Sequence, residues 1–197
     1  MPELTTRDAK LIQYLNEAYG KEKELETALT AHIGMTTRKP YKKRLQEHLR
    51  ETKAHARGLE RRIKQLGGKA EAGNIVTDVA SKAVSAAKGP LHAVRGTGEQ
   101  EKMLKNAKTQ YFNEHEEIAT YTAIETLAET VGDADTAKLA RGIRREEERM
   151  ARFLERLIPT LTRVVAREEI PAAERRTNGR RRTSASRRRA SASTRGG

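Results

Sequence analysis

Apolar residues recur along this chain at helical spacing in four long segments. The first runs from about Thr6 to Ile33 and carries Leu11, Leu15, Ala18, Tyr19, Leu25 and Leu29 on one face. Thr5, three residues before Asp8, is placed to cap it. The second follows Pro40, a residue suited to a first helical turn, and shows Leu45, Leu49, Ala56, Leu59 and Ile63 before Gly67-Gly68 ends it. The third begins after Gly98 with Leu104, Ala107, Tyr111, Ile118, Tyr121 and Leu127, and Gly132-Asp133 breaks it. The fourth has Leu139, Ala140, Ile143, Met150, Leu154, Leu157 and Leu161. β-branched and aromatic residues do not cluster, so no strand is predicted. At 1.5 Å per residue each segment spans about 40 Å.

The connections predict the topology. About six residues join the first two helices and two or three join the last two, so each pair should form an antiparallel hairpin. Between the hairpins lie roughly 30 residues, Gly68 to Thr97. There Ile75, Val76, Val79, Ala80, Ala83, Val84 and Ala87 predict a short extra helix before Gly89-Pro90. A link of that length can travel the bundle, leaving helices two and three parallel. The expected class is therefore all-α, a ferritin-like four-helix bundle with a long crossover between helices two and three.

Polar residues interrupt the apolar stripes at corresponding heights. Glu22 follows Ala18 by four and precedes Leu25 by three, so it faces inward. His48 and His55 share the inner face of helix two, with Glu51 on its flank. Glu114 and Glu117 fill the gap between Tyr111 and Ile118 on helix three, and Glu146 and Glu147 lie between Ile143 and Met150 on helix four. Each alone has an ordinary explanation. A lone inward Glu is commonly ion-paired, a lone His is commonly hydrogen-bonded in the core, and Glu146-Glu147-Glu148 among Arg144, Arg145 and Arg149 resembles a solvated charge run. Their coincidence near the middle of all four helices asks for more, because clustered carboxylates cannot lose water as anions without compensation. Cations supply it, and oxygen-rich sites with one or two imidazoles suit iron or manganese. His32 and His92 look incidental, and His115 has no clear role.

Composition changes the picture in two ways. With no Cys among 197 residues, disulfides, thiolate metal sites and Cys nucleophiles are excluded. No apolar run is long enough to cross a bilayer, and the first residues lack a signal-peptide core, so the expected location is cytoplasmic. The charge is uneven. Arg175 to Gly197 holds nine Arg and no acid, which is +9 of the net +13 and leaves +4 for Met1–Glu174 by subtraction. Within it Arg180-Arg181-Arg182-Thr183-Ser184-Ala185-Ser186 is followed by Arg187-Arg188-Arg189-Ala190-Ser191-Ala192-Ser193. The chain thus divides into a helical bundle, 1–166, and an Arg-rich tail, 167–197, expected to be disordered for want of apolar residues. The six arginines of the repeat suit a polyanion such as DNA or an anionic surface, with the nucleoid as one destination, and no interleaved aromatics supply base preference.

The segments Tyr19-Gly20-Lys21-Glu22-Lys23-Glu24-Leu25, His48-Leu49-Arg50-Glu51-Thr52-Lys53-Ala54-His55 and Glu114-His115-Glu116-Glu117-Ile118-Ala119-Thr120-Tyr121 resemble the YciE/YciF family of bacterial ferritin-like stress proteins. The resemblance covers about residues 6–165 and leaves the tail outside it. It implies a ferritin-like bundle, commonly dimeric, with a dinuclear metal site. By position it implies Glu22, His55, Glu117 and Glu147 as ligands, with Glu51, Glu114 and His48 behind them. The usual Glu-x-x-His pair is absent: helix two offers Glu51-x-x-x-His55, helix four has no His, and Ala151-Arg152 stand where many relatives have an acid. The expected function is a stress-response protein with a dinuclear iron or manganese site, oxidising iron or consuming peroxide, its tail on DNA. The rival is a non-enzymatic DNA-associated bundle whose metal site is vestigial. A purely structural helical dimer is a third reading.

Overall fold

The computed structural model describes residues 4–71 and 98–175. They form four helices: α1 Thr6–Met35, α2 Lys39–Gln65, α3 Glu99–Thr130 and α4 Ala134–Glu169. The expected crossover helix near Ile75–Ala87 and the arginine repeat lie outside the described residues. Helix α4 continues past the boundary placed at residue 166 and ends at Glu169.

Local chemistry sets the helix ends. Thr5 Oγ1 accepts from Asp8 N at 3.1 Å, as the sequence predicts. At the end of α2, Gly67 adopts φ 87° while Gly67 N bonds Lys64 O and Gly68 N bonds Ile63 O, the paired bonds of a Schellman cap. Gly132, φ 74°, ends α3 in the same way, with Asp133 N on Ala128 O. Asp133 then caps α4 by accepting from Thr136 N at 3.0 Å. One residue so closes one helix and opens the next. The α1–α2 link is shorter than expected, only Thr36–Arg38, because α1 runs through Gly34 to Met35 and Thr36 Oγ1 donates to His32 O at 2.7 Å.

The neighbouring pairs are α1–α2, α3–α4, α1–α3 and α2–α4. Each is antiparallel: Glu22 meets Tyr121 while His32 meets Gln110, and His55 meets Glu146 while Arg62 meets Thr136. The diagonal helices α2 and α3 are consequently parallel, as the crossover requires. Gly68, at the end of α2, packs by Ile12 near the start of α1, whereas Glu99 at the start of α3 accepts from Thr37. Gly68 and Glu99 thus lie at opposite ends of the bundle.

Arg62 locks the α3–α4 turn to α2. Its Nη2 donates to both Asp133 carboxylate oxygens at 2.7 Å and its Nε to Thr136 Oγ1 at 2.8 Å. Asp133 is held below its ordinary pKa: burial works upward, but the bonds from Arg62 and Thr136 outweigh it. Arg62→Ala strands a mostly buried carboxylate and should cost about 1–3 kcal/mol, lowering the melting temperature by roughly 2–10 °C in a thermal scan.

The core is divided. One apolar cluster holds Leu29, Tyr41, Leu45, Met103, Ala107, Met150 and Leu154; another holds Leu15, Ala18, Leu59, Ile63, Tyr121, Ile124 and Ile143. Between them on every helix lie polar residues: Glu22 on α1, His48 and His55 on α2, Gln110, Glu114 and Glu117 on α3, and Glu147 on α4, all buried.

Candidate metal centre

The amphipathic period delivers these side chains to one layer. Each occupies a position that a core residue would take one turn above or below, so packing of the two apolar clusters fixes its direction. The layer contains two groups of three donors, Glu22–His55–Glu147 and His48–Glu114–Glu147, and within each the donor atoms lie within 4.8 Å of one another. An ion with bonds of about 2.1 Å holds its donors roughly 3–4.2 Å apart, so both groups are near coordination distance.

Glu147 belongs to both groups. Its Oε1 is 3.0 Å from His55 Nδ1 and its Oε2 is 3.6 Å from His48 Nε2. Glu22 Oε1 completes the first group at 3.3 Å from His55 Nδ1, and Glu114 Oε1 the second at 3.1 Å from His48 Nε2. The far nitrogen of each imidazole is held by an outer carboxylate. His55 Nε2 bonds Glu146 Oε2 at 2.8 Å, and His48 Nδ1 bonds Glu51 Oε2 at 3.2 Å. A carboxylate anion only accepts, so the outer nitrogens donate, as His48 Nε2 does toward Glu114; a cation in the layer would take the place of the inner proton and leave the outer N–H on its carboxylate.

Further bonds position the inner carboxylates. Tyr121 Oη donates to Glu22 Oε1 at 2.5 Å, and Gln110 Nε2 donates to Glu114 Oε1 at 2.7 Å. His32 Nδ1 stands 3.3 Å from Gln110 Oε1, so a histidine that looked incidental braces the layer. Tyr121 and Gln110 lie outside the site that the sequence predicts. Gln110, four residues before Glu114 on the inner face, was the detectable signal, whereas Tyr121 is indistinguishable from core in the sequence.

Of the expected ligands, Glu22, His55, Glu114 and Glu147 come together, joined by His48. Glu117 is buried beside them but in neither group. Glu51 is not among the inner donors: Arg44 Nη1 and Nη2 both donate to its Oε2, turning it outward to support His48.

The electrostatics of the layer are those of crowded buried carboxylates. Buried atoms with no hydrogen-bond partner include Glu22 Oε2, His55 Nδ1, Glu114 Oε2, Glu117 Oε2 and both oxygens of Glu147. Burial pushes the carboxyl of Glu22 up and that of Glu147 to about 7. Glu117 is driven well above its ordinary value, by burial first and then by Glu147, Glu22 and Glu114. Burial works against protonated imidazoles, but the carboxylates outweigh it, raising His48 to about 10 and His55 to about 11. Glu51 falls to about 2, held by the bond to His48 and by Arg44. Orphaned, converging carboxylate oxygens around two oriented imidazoles fit a pair of cations.

Fold and site together define a ferritin-like four-helix bundle with a carboxylate–histidine layer at mid-height. A protein from Xanthomonas campestris pv. campestris superposes with TM-score 0.65 at 25% identity, covering 83% of this chain and 97% of that one. The E. coli stress protein YciF gives TM-score 0.64 at 22% identity, covering 81% and 98%. A bacterioferritin of Desulfovibrio desulfuricans, described with a diiron site, gives 0.62 at 19%, covering 83% and 86%. Residues 6–167 match the family model described as "Domain of unknown function (DUF892)", and the chain belongs to that family. The likeness to YciF read from the helix motifs holds. No described helix is long and apolar enough to cross a membrane.

Proposed function

We propose that this protein holds a dinuclear iron or manganese site, for which Glu22, His55 and Glu147 would supply one set of ligands and Glu114, His48 and Glu147 the other. The observation that carries the reading is the sharing of Glu147 between two donor groups whose histidines are turned inward by separate outer carboxylates. Glu117, buried beside both groups with an unpartnered oxygen, is a further carboxylate within reach of a loaded site. A bound pair of such ions would supply redox chemistry toward dioxygen or peroxide. The chain's own part is to exclude water, since Glu22, Glu114 and Glu147 are 0% exposed, and to hold the imidazoles in one orientation.

Metal and protons compete for the same atoms, which gives a test. With His48 and His55 raised to about 10 and 11, both imidazoles carry an extra proton at neutral pH in the metal-free protein. Binding must expel one proton from each, and Glu147, raised to about 7, gives up part of another near the lower end, so affinity should rise by at least about two log units per pH unit between pH 6.5 and 8. The stability trend has the opposite sign without metal. A group with a raised folded-state pKa contributes fully below its unfolded value and loses that contribution as pH rises through the folded one. Metal-free protein should thus weaken toward pH 10–11, while loaded protein gains from pH 6 to 8. Calorimetric titration with Mn2+ in buffers of different ionisation enthalpy counts the protons. Release of none would refute the assignment of both histidines.

The polyanion reading gains support from α2. This helix holds ten Lys and Arg against three Glu, so the small charge of the body conceals one strongly basic element. Exposed Lys43, Arg50, Arg57 and Lys64 repeat every seven residues along it, and the first three make no ion pair among the described residues. They form a stripe about 31 Å long. We propose that this stripe and the C-terminal arginines bind nucleic-acid phosphates without sequence preference.

A further inference from the structure

We propose that the cleft between α2 and α4 is the passage by which a divalent cation reaches the buried layer, with Glu146 as the carboxylate that first captures it. The proposal rests on the metal-site reading above and adds a route to it. The donors themselves are sealed, with Glu22, Glu114 and Glu147 at 0% exposure and His55 at 3%. A cleft of about 450 Å3 between these helices is lined by His55 and Glu146. At about 30 Å3 per water it has room for a hydrated ion.

Two glycines make the cleft. A Cβ on Gly58 would meet Leu139 Cδ1 at 3.2 Å, and a Cβ on Gly142 would have nothing within 4 Å. Leu139 and Ile143 form apolar wall. Arg61 and Lys138 balance Asp135 and Glu146 along the lining, so the mouth presents no net positive barrier.

His55 separates the cleft from the layer. Its Nε2 faces Glu146 Oε2 at 2.8 Å, and its Nδ1 faces Glu147 and Glu22 at 3.0 and 3.3 Å. A cation held by Glu146 occupies the lone pairs that fix Nε2. The imidazole then keeps only its inner contacts to Glu147 and Glu22, and a turn about its Cβ–Cγ bond opens the way inward. Glu51, the equivalent support of His48, is unsuited to this role because two bonds from Arg44 tie it down. Beyond its bond to His55, Glu146 has only Arg149 among the described residues, at 3.3 Å, and its side chain is 35% exposed.

The test is the rate at which metal-free, full-length protein takes up Mn2+, followed by loss of the free-ion EPR signal. Gly142→Leu fills the cleft from a position with open space and raises helix propensity, so the fold is retained, as circular dichroism would verify. It should load about ten-fold or more slowly and reach the wild-type Mn2+ content. Glu146→Gln should slow loading likewise, while Glu60→Gln, on an α2 carboxylate bonded to Lys64 and outside the cleft lining, leaves the initial rate within about two-fold. Wild-type loading in Gly142→Leu, or a reduced final content, overturns the passage alone. Absence of uptake by the wild type overturns the metal-site reading and the passage with it.

Discussion

Glu147→Ala should abolish metal binding at both positions, whereas Glu22→Ala or Glu114→Ala should remove one ion each. The asymmetry follows from geometry: among the described residues Glu147 alone approaches both imidazoles, through Oε1 at 3.0 Å and Oε2 at 3.6 Å. Loss of an outer support of a ligand costs roughly 10–100-fold in affinity, and loss of a shared inner ligand should exceed that twice over. The consequence extends to stability. A ligand at a hundred times its Kd adds about 2.7 kcal/mol, which for a chain of this size is roughly 5–10 °C in melting temperature. Saturating Mn2+ should give the wild type at least that increment and Glu147→Ala none, read by metal content after gel filtration beside thermal scans. Equal content in the two proteins would remove Glu147 from the site.

The second large effect concerns the tail. Truncation after Glu174 removes nine arginines. If five to eight of them engage phosphates together, the slope of log K against log salt should flatten by about 4 to 7. The residual body should still bind duplex DNA weakly, with a slope of about −3 from the stripe on α2. Arg50→Glu with Arg57→Glu in that body should abolish the remainder. On the homodimer that the family resemblance implies, two tails would act together and raise avidity. Should the truncated body bind as tightly as the full chain and with the same slope, the tail is not the contact.

The helices were legible because burial on one face imposes a period that survives in the sequence, and the caps at Thr5 and Gly67 follow from residue type alone. The last residues of α1, Gly34-Met35, are not legible, because glycine gives no helical signal and the turn is stabilised by Thr36 on His32 O. The inward carboxylates were legible for the same periodic reason. Glu51 was not, since three residues from His48 and four from His55 place it on the flank, where Arg44, two turns earlier, competes for it and wins. The family resemblance places His48 behind His55, and heptad spacing gives the two a shared face but not which nitrogen points inward. That orientation is set by Glu51 and Glu146, acids the sequence cannot assign as supports rather than ligands. Tyr121 shows the remaining gap: its ring packs as core while its hydroxyl holds Glu22, and a hydrophobic pattern records only the ring.

The central claim, that one carboxylate joins two metal positions at mid-bundle, is tested most directly by anomalous diffraction from crystals of the protein soaked in Mn2+. Two peaks are predicted on either side of Glu147, one also bonded by Glu22 and His55 and the other by Glu114 and His48. Protein loaded to saturation with no anomalous density among these five residues, or with a single ion that leaves Glu147 unbound, would contradict the account.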